Sequence, residues 1–348
     1  MTDVMRARTL SDLIAVVPVL LGFHPHDSLV AVCLDGPSCR AGFRLRVDLP
    51  PVEHVEDAAE QLVGYLLLQE PDAVALVAYA DAHRDEDARR LADAMTQRLR
   101  DHDVLVTDAV RFDGARYFSY SCEDPSCCSP EGVPCDVRTS PLLAEAVFRG
   151  VEVLPDRDGL VRRFAPVAGL LRAEAERATA VEASALGRRR LPGRTQRDPE
   201  LLQRGLDRVR PVVDAWLSAA DAVAGTGPAL SAADKAALSV WTSLVVVRDV
   251  LWAGITRDNA LESLALWREV AVSAVRPFEA APLTLAAFAA WLAGDGAQAQ
   301  CALDRVREVA PRYSMAGLVQ TALSGCLDPA HWEGMSTDDI LRTVPGLS

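Results

Sequence analysis

Hydrophobic and polar positions divide this chain into two halves of different period. In the first, residues 28–34, 42–49, 104–112 and 115–120 read as strands, bounded by turn residues. Residues 73–79 are apolar without a break, as in a strand buried on both faces. Three helical stripes lie between them. Leu13, Val16, Val17, Leu20 and Leu21 share one face behind a cap at Ser11 or Asp12, in a helix that Pro18 bends or shortens. Val52, Val55, Ala59, Leu62, Val63, Leu66 and Leu67 make the second stripe, and Ala88, Leu91, Ala92, Met95 and Leu99 the third. A hairpin is expected between 28–34 and 42–49, and Asp113-Gly114 marks another tight turn. Five strands and three helices predict a mixed sheet covered by helices.

From residue 140 onward every signal is helical. Ser140-Pro141 opens a helix that stops at Gly150, and Asp156 caps one carrying Leu160, Val161 and Phe164 before Pro166 interrupts. A further helix runs to Gly187. Asp198-Pro199 starts one with Leu202, Leu206, Val209, Val213 and Trp216 on a face, and Ser231 to Asp234 has the form of a capping box. The apolar run 236–255, broken by Arg248 and Asp249, reads as a buried helix. Residues 293–311, rich in small residues and closed by Pro311, resemble the second half of a tetratricopeptide repeat; one such unit predicts a repeat-like hairpin, not an array. The expected class is α+β: an α/β domain over 1–150 with a cysteine-rich loop at 121–137, then a helical domain over 151–348. Residues 187–197, with Arg188, Arg189, Arg190, Arg194 and Arg197 around Pro192-Gly193, are the linker candidate.

Composition narrows the function classes. Half of the 348 residues are hydrophobic, which is ample for a core. A formal net charge of -13 argues against a nucleic-acid partner, because a duplex-binding face needs many Lys and Arg. The apolar run 13–23 is too short to span a bilayer and contains Pro18. It also lacks a signal-peptide cleavage pattern. A soluble cytoplasmic protein without membrane association is therefore expected, with its eight cysteines as reduced thiols or ligands rather than a disulfide framework.

The chemistry concentrates in 117–132, where Cys122, Asp124, Cys127, Cys128 and Glu131 crowd together and Cys135 follows. Thiolates suit zinc, and four ligands close a structural site. The spacing matches no zinc ribbon or finger, and adjacent Cys127 and Cys128 are expected to diverge. His24 or His26 would complete a site if the first loop folded against this one. A reactive thiol is the second reading, with Arg138 and the helix opening at Ser140 as the sources of positive potential. The third is that Pro125, Pro130 and Gly132 make a rigid loop with the cysteines as small packed groups. Asp124 and Glu131 form an acid/base pair on paper, but loop carboxylates usually cap turns. Cys33, Cys39, Cys301 and Cys326 read as packing. No phosphate loop, dinucleotide fingerprint, zincin helix or nucleophile elbow is present.

Three stretches together carry a resemblance: Leu20-Leu-Gly-Phe-His-Pro-His-Asp-Ser-Leu-Val30; Arg116 to Gly132, with its Cys122-Glu-Asp-Pro-Ser-Cys-Cys-Ser-Pro-Glu-Gly132; and 150–160 with Leu154-Pro-Asp-Arg157. They resemble an uncharacterised actinobacterial family classed as a domain of unknown function. The family has two tryptophans where this chain has Tyr117-Phe118, and Pro where it has Ser129. Cys135 lies outside the family pattern, which counts against a four-cysteine site. The resemblance implies boundaries and no activity. The function expected first is a binding or regulatory module whose helical domain contacts a protein partner. The alternative is a thiol- or metal-dependent enzyme using Cys122, Cys127 and Cys128 near His24 or His26, with zinc as the metal.

Overall fold

A computed structural model describes residues 7, 9–36, 39–148, 150–187, 198–220 and 227–347. The arginine-rich linker candidate at 188–197 lies outside these residues. The chain divides into two compact units, Met1–Arg157 and Asp158–Ser348.

The first unit opens with α1 (Leu10–Leu21). Its cap is Thr9, not Ser11 or Asp12. Asp12 is the reciprocal partner three residues in: the Thr9 hydroxyl accepts its N–H at 3.1 Å, and its carboxylate accepts the Thr9 N–H. Pro18 lies inside the helix without ending it, and Gly22 closes it at φ +76°. Then come β1 (Ser28–Asp35), β2 (Arg40–Asp48), α2 (Val55–Leu67), β3 (Ala73–Tyr79), α3 (Asp85–Asp101), β4 (Leu105–Phe112), β5 (Arg116–Ser119), β6 (Val133–Pro134) and α4 (Pro141–Phe148).

The six strands form one sheet, ordered β2-β1-β3-β4-β5-β6. Among neighbouring strands only β3 and β4 are parallel, and the helix α3 makes the crossover between them. All seven residues of β3 are buried, as its unbroken apolar run requires. Leu29, Ala31 and Cys33 of β1, Val74, Leu76 and Ala78 of β3 and Ala109 of β4 pack on the apolar stripes of α2 and α3. Tyr79 and Phe112 belong to the opposite face and meet edge to face at 6.0 Å. There α1 covers the sheet, and the Tyr79 hydroxyl donates to the Ile14 carbonyl at 2.7 Å.

The second unit is helical: α5 (Arg157–Arg162), α6 (Gly169–Gly187), α7 (Pro199–Ala219), α8 (Ala232–Trp241), α9 (Val245–Ala253), α10 (Ala260–Ser273), α11 (Ala280–Leu292), α12 (Gly296–Val309), α13 (Ser314–Ser324) and α14 (Thr337–Arg342). All thirteen residues of α11 are buried, so it is the central post. The α11–α12 pair is the expected helical hairpin, turning at Gly294 with φ +77° and capped by Asp295. The run 236–255 is not one helix. It breaks after Trp241 and resumes at Val245, with α8 and α9 at 109°. Thr242 starts the break, its hydroxyl donating to the Leu238 carbonyl at 2.7 Å, and Leu244 is extended. The cap of α8 is Ser231, but Asp234 takes the Ser231 hydroxyl with its carboxylate. Among the described residues no single helix is long and apolar enough to cross a membrane.

Candidate metal centre

The sheet edge is where the cysteine loop sits. Strand β5 and the two residues of β6 are antiparallel partners, Arg116 opposite Pro134 and Tyr117 opposite Val133, so residues 120–132 form an excursion between paired strands. Three local devices shape it. Ser119 Oγ accepts the N–H groups of Ser121 (3.2 Å) and Cys122 (3.0 Å), fixing the first cysteine as β5 ends. Asp124 then makes a turn: Oδ1 accepts from Ser126 N and Ser126 Oγ, and its carbonyl accepts from both Cys127 N (3.1 Å) and Cys128 N (2.8 Å). Finally Arg116 donates to the carbonyls of Glu131 (3.3 Å) and Gly132 (2.8 Å), closing the excursion.

Gly132 makes the closing fold feasible. Its φ is +79°, and a Cβ there would lie 2.7 Å from the Phe118 ring. Phe118 is held in turn by Arg111, whose guanidinium lies 4.0 Å from the ring centroid. Arg111 is 4% exposed; it pairs with Asp85 at 2.8 Å and donates to the Ala80 carbonyl at 3.0 Å. The Tyr120 hydroxyl donates to the same Asp85 carboxylate at 2.9 Å. The loop is thus pinned to α3 and β4 at its root.

The result brings Cys122, Cys127 and Cys128 together, with their Sγ atoms within 4.8 Å of one another. Cys127 and Cys128 do not diverge as adjacent residues were expected to; their sulfurs lie 3.9 Å apart. The reason is the shared Asp124 carbonyl, which curls both residues over one side of the turn. The Cys128 thiol is pushed up to about 11, first by desolvation and then by hydrogen bonding with the Cys122 and Cys127 thiols. Three thiols this close resist becoming three thiolates unless a cation joins them. A bound cation reverses the balance, because it deprotonates the thiols that coordinate it. The cluster can hold a metal ion.

The other candidates fall elsewhere. Cys135 is buried; its N–H donates to the Ala115 carbonyl at 2.8 Å, and it is absent from the three-sulfur group. The sulfur group is therefore the set of three, Cys122, Cys127 and Cys128, without Cys135. Among the described residues the grouped ligand atoms include neither His24 nor His26. The His24 loop instead meets the third resemblance stretch: Phe23 bridges Leu154, Leu154 N donates to the Gly22 carbonyl, and His24 N donates to the Leu154 carbonyl, both at 2.9 Å. His24 titrates below the usual imidazole range, through burial and then the charge of His26. Asp124 is the organiser of the turn, and the Glu131 N–H donates to Ser129 Oγ at 3.2 Å. Arg138 is engaged by Asp136 at 3.0 Å. All eight cysteines are free thiols; Cys33 and Cys301 are buried, but Cys39 is exposed in a turn at φ +49° instead of packed. Sequence reasoning missed Ser119, Arg116 and Phe118 as the residues that position the loop. Of these, Ser119 left the readable sign, a hydroxyl residue three positions before a cysteine.

Fold and cluster together define a two-unit α+β protein with a three-thiol centre on the edge of a mixed sheet. The chain belongs to the DUF4192 family, described as a domain of unknown function, which it matches over residues 11–330. Neither the curated proteins nor the solved structures provide a match.

Proposed function

We propose that the first unit is a zinc-thiolate module in which Cys122, Cys127 and Cys128 hold one ion and leave its fourth position open. The observation that carries this is the spacing of the three sulfurs. Sulfurs placed tetrahedrally at about 2.3 Å from zinc lie about 3.8 Å apart. Cys127 and Cys128, at 3.9 Å, fit that distance. A cubane iron–sulfur cluster holds each cysteine on a separate iron and needs a wider set. Three protein ligands with an open position is the pattern of a working zinc centre rather than a closed structural one. The test is zinc binding to the reduced full-length chain, followed by competition with a chromogenic chelator. A single tight site that is lost in Cys122→Ser and Cys128→Ser is expected; binding unchanged in both variants contradicts the proposal.

A second reading, a protein-contact role for the helical unit, is favoured by one surface. Ile255, Leu261, Leu292 and Trp332 line an open depression of about 710 Å³ with Arg257, Asp258 and Glu333 around it. Trp332 stacks on Trp252 at 6.1 Å and meets Phe288 edge to face at 5.2 Å, which gives the depression a firm aromatic wall. A photo-crosslinker at Leu261 is expected to trap a defined partner in the native host. Absence of any adduct there contradicts this reading.

A further inference from the structure

We infer that the open coordination position takes an external small-molecule thiol and presents it as a thiolate. This rests on the zinc reading above. Three thiolates around a divalent ion already leave a net charge of about -1. Such an electron-rich centre is a weaker activator of water than one built from neutral imidazoles. Hydrolysis would also want a proton acceptor beside the water. Of the loop carboxylates Glu123, Asp124 and Glu131, Asp124 has Oδ1 engaged by both Ser126 N and Ser126 Oγ. Among the described residues, no histidine or carboxylate joins the sulfur group.

A soft fourth donor is what this set lacks. Closed zinc sites of this kind are completed by a fourth cysteine or a histidine. Here Cys135 is buried and is not among the grouped sulfurs, so on the zinc reading the fourth sulfur comes from outside. Access is provided, because Cys127 is exposed while Cys122 and Cys128 are half-buried. As the external thiol binds, its S–H bond breaks, a sulfur–metal bond forms and the proton passes to solvent with the displaced water. No electron changes hands. The product is a thiolate at neutral pH, a nucleophile that the free thiol supplies only in small fraction.

The experiment uses the full-length chain loaded with cobalt(II), kept reduced by a phosphine, and titrated with 2-mercaptoethanol. Sulfur-to-cobalt absorption is expected to rise by about one third as three sulfurs become four. About one proton per chain should be released with it. Ethylene glycol, the oxygen analogue, should produce neither change. If the absorption stays constant or collapses, or if Cys135→Ser lowers it before thiol is added, the inference is overturned while the metal site stands. If cobalt gives no sulfur absorption at all, the zinc reading itself fails.

Discussion

The Sγ atoms of Cys127 and Cys128 lie 3.9 Å apart because the N–H groups of both residues donate to the Asp124 carbonyl. Adjacent side chains are thereby turned to one side, toward Cys122. The Asp124 side chain holds that carbonyl in place by tying the turn to Ser126, which makes Asp124 a positioning residue. Asp124→Ala removes the acceptor for Ser126 N and Ser126 Oγ and should lower zinc affinity at least tenfold, within the range seen when groups supporting a metal site are lost. Asp124→Asn keeps one acceptor oxygen and should recover most of the affinity. Chelator competition on the three proteins measures this, and equal affinity in all of them counts against the role.

Gly132→Ala should damage the same site from the other end of the loop. The new Cβ meets the Phe118 ring at 2.7 Å in a backbone conformation that L residues rarely adopt. A cost of about 1–3 kcal/mol is expected from strain and overpacking. Urea denaturation of the metal-free protein gives that figure, and a variant as stable as the parent contradicts the packing described.

Asp85 anchors the loop's root at a distance. Asp85→Ala leaves the buried Arg111 guanidinium without its carboxylate, and leaves the Tyr120 hydroxyl only the more distant Asp85 carbonyl at 3.4 Å. The expected loss is about 2–4 kcal/mol, somewhat below that of a fully buried pair because Asp85 is partly exposed. The control is Glu86→Ala, whose partner Arg90 is on the surface; that change should cost under about 1 kcal/mol. Similar losses for both would remove Arg111–Asp85 from the list of structural anchors.

Stability should fall in alkali when metal is absent. The Cys33 thiol is pushed up to about 12, by burial and then by Asp35, and Cys128 up to about 11, against an ordinary value of 9.0. Both keep their protons in the fold after the unfolded chain has lost them. Their contribution is fully present below pH 9 and is lost as pH rises through 11 and 12. The sign is opposite for His24, lowered from 6.5: its contribution is lost as pH falls below that value. Denaturation midpoints against pH should show both limbs. Zinc should remove the Cys128 part of the alkaline limb, and His24→Gln should flatten the acid one. An alkaline profile identical with and without zinc argues against metal at Cys128.

Much of this architecture is legible in residue pattern, and the exceptions share a cause. The unbroken apolar run 73–79 announces a doubly buried strand, and β3 is one. The equally apolar run 236–255 announces burial too, but hydrophobicity says nothing about direction, so the 109° turn after Trp241 is invisible in it. The cap of α1 is ambiguous in sequence because Ser11 and Asp12 are both good capping residues; only the backbone shows that Asp12 is the third residue of a box begun at Thr9. In the loop, composition marked the segment but spacing could not say which sulfurs converge. Burial of Cys135 goes with its pairing to Ala115 just beyond the ends of β5 and β6, and the meeting of Cys127 with Cys128 depends on one carbonyl. Both are tertiary facts about a short irregular segment, where no hydrophobic period operates.

The central claim is most directly tested by elemental analysis of the full-length protein, produced in zinc-supplied medium and purified anaerobically, beside its Cys→Ser variants. About one zinc per chain is expected in the parent, as a mononuclear site requires. The ion should be lost in Cys122→Ser, Cys127→Ser and Cys128→Ser. Cys135→Ser should keep its zinc while losing about 1–3 kcal/mol of stability to a buried, unpartnered hydroxyl. A parent without metal, or variants that retain it in full, would contradict the account.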